Sequence, residues 1–81
     1  MLSNIYEFNG KDITMTMCIV IRAVIRIIAS RQGCTFADAM YDFYHSQTLK
    51  ILQNTQTALW AEAPEYIADM YFMERSASEA V

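Results

Sequence analysis

The feature that most constrains this chain is the stretch 13–29, seventeen mostly apolar residues whose only charges are Arg22 and Arg26. A membrane span needs about 20 apolar residues with few or no charges. A secretory leader needs a basic start and a shorter apolar stretch. The segment fits neither description and is expected to form a buried helix in a cytoplasmic protein with no membrane partner.

At 100° per residue, Ile13, Met17, Val20, Ile21, Val24, Ile27 and Ile28 share one broad face, which predicts the core stripe. The opposite arc holds Thr14, Cys18, Arg22, Arg26 and Ser30, but also Met15, Ile19 and Ile25. A solvated face does not ordinarily alternate arginine with large aliphatics, whereas interface cores are enriched in methionine, aromatics and arginine. Phe72 likewise falls on the Glu65 and Asp69 side of the last helix. Met15, Ile19, Arg22, Ile25, Arg26 and Phe72 are therefore the candidate interface. Two coverings are open for the second arc of the first helix: other helices of the same chain, or a second copy in a homo-oligomer.

Composition agrees with dense packing. An 81-residue chain buries only about 60% of its unfolded surface, so it needs a rich apolar supply. With 54% hydrophobic and 19% charged residues, it is not a disordered tail. Two glycines and one proline exclude collagen-like and loop-rich disulfide scaffolds.

The remaining elements follow from local signals. Ile5, Tyr6 and Phe8 precede Asn9-Gly10, a turn dipeptide, so residues 1–11 form an N-terminal arm. Asp12 can cap a first helix over about 12–32, and Gly33 supplies its stop. Thr35 with Asp38 is a near capping box opening a second helix over 36–45, with Phe36, Met40, Phe43 and Tyr44 on one face. Leu49, Ile51 and Leu52 predict a short helix over 47–53. The polar run 53–57 should contain the main turn, and residues 57–60 another helical turn. Pro64 suits the first position of a helix over 64–75, with Ile67, Met70, Tyr71 and Glu74 on one side. The tail 76–81 should fray.

The expected fold is thus all-α, a small single-domain bundle of three main helices plus one short helix spanning 1–81. Its expected core is Val20, Val24, Ile27, Met40, Phe43, Leu52, Trp60, Ile67 and Tyr71. Trp60 should plug the hinge before the last helix, with its N–H on one acceptor.

Charge argues about partners. The net charge is −3, which gives the whole chain no electrostatic reason to seek nucleic acid. Lys11, Arg22, Arg26 and Arg31 face only Asp12 in the first half, while the second half is acidic, so internal complementarity is expected, with a basic docking face as the alternative. The acid pairs Asp38/Asp42 and Glu65/Asp69 are expected as solvated faces or as partners for Arg22 and Arg26.

Chemistry finds little to work with. With Cys18 inside a helix, the rise of about 1.5 Å per residue puts Cys34 more than ~20 Å away, against the roughly 7 Å a disulfide tolerates. Both are expected as reduced thiols, with Cys18 a small buried hydrophobe. Cys18, Cys34 and His45 are too few and too scattered for a structural zinc, which wants four ligands at short spacings. Cys34 and His45 sit at opposite ends of one helix and cannot form a nucleophile and base locally. His45 has a structural use, satisfying the last carbonyls of that helix. The acid pairs Asp38/Asp42 and Glu65/Asp69 share helix faces, but acid–base work also requires burial to separate their pKa values. No enzyme activity, cofactor or metal is expected.

A helix-turn-helix over 35–53 is the alternative. It would bury Phe36, Ala39, Met40, Leu49 and Leu52 and offer Ser46, Gln47, Thr48, Lys50 and Gln53 to bases. Phosphate contacts normally flank such a helix, and Lys50 is the only base between Gln32 and Glu74.

Cys18-Ile19-Val20, then Gly33-Cys34-Thr35-Phe36-Ala37-Asp38-Ala39, then Leu59-Trp60-Ala61-Glu62-Ala63-Pro64-Glu65-Tyr66-Ile67 resemble a family of short helical bacterial proteins known as a domain of unknown function. The resemblance covers roughly residues 15–74, and the Leu-Trp, Glu and Glu-Tyr-Ile run is its most specific part. Members are sometimes encoded near toxin-like enzymes, so the resemblance implies a partner-binding or antitoxin-like role. It implies no catalytic residues.

Overall fold

The computed structural model describes residues 6–79; Ile5 of the predicted arm and the last two residues of the predicted tail lie outside them. The arm's described part is a hairpin. β1 (Glu7–Phe8) pairs antiparallel with β2 (Lys11–Asp12). Asn9 at φ 53° and Gly10 at φ 81° give the two left-handed residues that a tight two-residue hairpin loop requires. Two bonds tie the hairpin to the start of the first helix: the Ile13 N–H donates to the Tyr6 carbonyl at 2.7 Å, and the Tyr6 N–H to Thr14 Oγ1 at 2.9 Å.

The chain continues through four helices: α1 (Thr14–Gln32), α2 (Phe36–Tyr44), α3 (Gln47–Gln53) and α4 (Pro64–Glu79). Their lengths are 19, 9, 7 and 16 residues, so two helices are long and two short, rather than three main and one short. Asp12 sits just outside α1, and its Oδ1 accepts the Thr14 N–H at 2.9 Å. Hydrogen bonds from the Thr14 side chain and amide hold this carboxyl below the usual aspartate range. At the far end Gly33 takes φ 65°, and its N–H and that of Cys34 both reach the Ala29 carbonyl.

Side chains cap the shorter elements. Thr35 Oγ1 accepts the Asp38 N–H at 3.1 Å. His45 Nδ1 lies 2.7 Å from the Tyr41 carbonyl; a carbonyl only accepts, so this nitrogen carries the proton and donates, the capping use expected of His45. Two 3-10 turns, Thr55–Thr57 and Leu59–Ala61, join α3 to α4. Pro64 begins α4 as expected, and the helix continues past the predicted fray point at Ser76. Ser, Ala and Ser after Arg75 include no glycine or proline to stop it.

Helix α1 is central, with α2 on one flank and α4 on the other. Met17, Val24, Ile25 and Ile28 are buried against Ala39, Phe43, Leu52, Ile67, Ala68 and Tyr71. Phe43 and Tyr71 meet edge to face at 5.8 Å. A fully buried side chain of this size stabilises by about 1.5–3 kcal/mol. Of the expected core, Val20, Val24, Phe43, Leu52, Ile67 and Tyr71 are buried, while Ile27 and Trp60 pack half-buried at its edge. Met40 is exposed. Among the described residues no helix is long and apolar enough to cross a membrane.

The expected single face of α2 divides. Ala39 and Phe43, four residues apart, turn inward, while Phe36, Met40 and Tyr44 remain 41%, 38% and 53% exposed. A methyl-sized side chain at Ala39 lets α2 approach α1 closely, and this fixes the rotation of the short helix. Half of its wide apolar arc is left outside.

Candidate functional site

That outer half of α2 faces the flank of α1. Between them runs a groove of about 350 Å³ lined by Cys18, Ile21, Arg22, Ile25, Phe36, Met40 and Tyr44. Continuing along α1, Met15 is 73% and Ile19 61% exposed. Met15, Ile19 and Arg22 are neighbours on one helix face by their i, i+4 and i+3 spacing, and Arg26 extends it by another turn. Of the nine large apolar side chains exposed among the described residues, five (Met15, Ile19, Phe36, Met40 and Tyr44) belong to this surface. Ordinary surfaces scatter such residues singly; here Met15 and Ile19 each stand one turn from a groove-lining residue, Cys18 and Arg22.

Two of the six candidate interface residues lie elsewhere. Ile25 is 2% exposed and is a core residue that only floors the groove. On an isolated helix it sits on the arginine side, but α2 crosses that flank and covers it. Phe72 is half-buried on the α1/α4 side, edge to face with Tyr71 at 5.2 Å and under the Arg31 guanidinium at 5.5 Å. Its covering is intramolecular.

Charges also differ from expectation. The cross-half complementarity appears as Arg31 Nη1 donating to Asp69 Oδ1 at 2.7 Å. Asp42 lies 3.5 Å from Arg75, on the far side from the groove's arginines. Among the described residues, no carboxylate pairs with Arg22 or Arg26. Cys18 is exposed rather than buried: it shares the flank of Ile25 but lies two turns nearer the start of α1, where the groove is open.

A second, polar region sits where α2, α3 and α4 meet. Glu74 accepts from the Gln47 N–H at 2.8 Å, the Thr48 N–H at 3.0 Å and the Thr48 hydroxyl at 2.7 Å. Partial burial alone would push this carboxyl up; the hydrogen bonds from Gln47 and Thr48 outweigh it and hold Glu74 below the usual glutamate range. Ser46 donates to the Phe43 carbonyl at 2.6 Å and accepts the Leu49 N–H at 3.2 Å. Arg75 donates to the Tyr71 hydroxyl at 2.7 Å. The cleft here, about 240 Å³ and lined by Asp42, His45, Ser46, Glu74 and Arg75 among others, gathers polar groups that already have partners within the chain.

Of the five side chains the helix-turn-helix reading offers to bases, Ser46 and Thr48 are buried. Glu74 places a carboxylate on the N-terminus of α3, the end that would approach DNA. Among the described residues, no three His, Cys, Asp or Glu side chains converge to hold a metal ion.

Sequence reasoning misses the α2 contribution to the surface because it requires knowing how α2 is rotated. The pairing of small Ala39 with Phe43 is the available signal. Compared with known proteins, the chain matches no family model, no curated protein and no solved structure.

Proposed function

We propose that the protein is a non-catalytic protein–protein interaction module of the cytoplasm that docks through the α1/α2 surface. The observation that carries this reading is the continuity of exposed Met15 and Ile19 with the groove beside Arg22, whose guanidinium has no carboxylate partner among the described residues. Contiguous apolar surface is a cost to a chain that stays alone, and it marks interaction sites. Two free thiols suit a reducing compartment. The family resemblance implies a partner-binding or antitoxin-like role, which a self-associating chain can also serve. The helix-turn-helix alternative is the weaker reading because two of its base-reading side chains point inward and Glu74 brings negative charge to the α3 N-terminus.

Cys18 lines the groove and provides the test. A membrane-permeant maleimide should label it severalfold more slowly in cells expressing the Cys34→Ser chain than in the same cells expressing that chain with Ile19→Glu, where permeation and glutathione act equally. Equal rates would overturn the docking reading.

A further inference from the structure

We propose that the occupant of this surface is a second copy of the chain, its α1 running antiparallel across the first; this rests on the docking reading above. The exposed positions Met15, Ile19, Arg22 and Arg26 are spaced by four, three and four residues. That is the alternation of a two-helix seam, and it lies on the side of α1 opposite Met17, Val20, Val24 and Ile28.

The ends of this seam differ in charge. Arg22 and Arg26 occupy the C-terminal half. Asp12 stands at the N-terminal end, exposed, with Glu7 as its cross-strand partner; Lys11 falls on the opposite face of the strand. The middle, Met15 with Ile19, is apolar. A parallel pairing would set Arg22 against Arg22 and Arg26 against Arg26, which like-charge repulsion forbids. An antiparallel pairing brings opposites together: Met15 meets Ile19 of the second copy, Asp12 meets its Arg22, and both contacts repeat through a two-fold axis at the level of Met17. One patch matching itself in this way is what an isologous dimer requires.

Asp12 is prepared for this contact. Its Oδ1 accepts the Thr14 amide, which leaves Oδ2 for a cation from the second copy. Four seam residues fall short of the roughly 800 Å² per partner that a stable interface buries, so the second copy must also cover the rim of Phe36, Met40 and Tyr44. The groove between that rim and α1 gives it room.

Sedimentation equilibrium of the full chain at high micromolar concentration should give twice 9.3 kDa, and Ile19→Glu should return the mass to 9.3 kDa with an unchanged helical spectrum. Arg22→Asp and Asp12→Arg should each weaken association about tenfold through two symmetric charge contacts, and the double exchange should restore it. A monomeric wild type, or a dimer indifferent to Ile19→Glu, overturns the second copy. Failure of the double exchange to restore association overturns the Asp12–Arg22 register. A monomer in solution with Cys18 still protected in cells defeats the second copy alone, whereas an unprotected Cys18 defeats the docking reading itself.

Discussion

The two junctions that α2 makes are opposites. Toward α3 and α4, each polar group named at the junction has a partner: Glu74 closes the N-terminus of α3, Ser46 caps it, and Arg75 joins Tyr71. Toward the outer face of α1, apolar side chains stay in water and Arg22 and Arg26 lack carboxylate partners among the described residues. The first junction is complete within one chain. The second has the composition of an interface core without its covering, and the proposed docking reading rests on that contrast.

The largest test of the contrast is to compare neighbours on α2. Phe43→Ala should cost about 3–5 kcal/mol in urea unfolding, because a fully buried ring leaves a cavity. Tyr44→Ala, one residue on but exposed, should stay within about 0.5 kcal/mol in the dilute monomer. Equal losses would erase the distinction between the two faces.

Removing the Glu74 carboxylate comes next. Glu74→Ala leaves the buried Thr48 hydroxyl and the first α3 amides without their acceptor, at about 1–3 kcal/mol. The same carboxylate sets a pH dependence. Its pKa is lower folded than unfolded, so its stabilisation is fully present above the unfolded value of about 4.3 and is lost as pH falls through the depressed folded value. Wild type should lose more stability than Glu74→Gln across that interval; identical acid profiles would show that the cap does not couple to folding.

Smaller still is the α1/α4 seam. Arg31→Ala removes an exposed ion pair and the cation over Phe72, an expected loss of about 0.5–1 kcal/mol. Double-mutant cycles with Asp69→Asn would divide it. Least of all, random duplex DNA should not be retarded even at about 50 mM salt, where non-specific binding is favoured; retardation abolished by Lys50→Ala would revive the alternative reading.

How much of this is written in the sequence depends on whether the deciding interaction is local. The α1 stop at Gly33, the turn at Asn9-Gly10, the Thr35 cap, the use of His45 and the start at Pro64 are each decided within a few residues, and each is legible. Ile25 reads as an outer residue because its position on α1 is ambiguous until α2 lies across it. Met40 reads as an inner one because the apolar arc of α2 is wider than the strip that α1 covers. The surface therefore shows its α1 half in the sequence and conceals its α2 half. The polar run after α3 has no periodicity, because its order comes from side-chain bonds such as Asn54 Oδ1 to the Gln56 amide.

That run is the one link between helices α3 and α4, and it has no α-helical ladder of its own. The tandem 3-10 turns meet at Ala58, a left-handed non-glycine at φ 57°, and short 3-10 pieces have poorer hydrogen-bond geometry than α-helix. Amide exchange should therefore proceed there through openings that leave α1 and α4 protected. The single tryptophan stands astride the break: the Trp60 indole N–H donates to the Thr55 carbonyl at 3.0 Å, with Phe8 against its ring. Its emission is a built-in gauge of this local opening, separable from global unfolding and from association along α1.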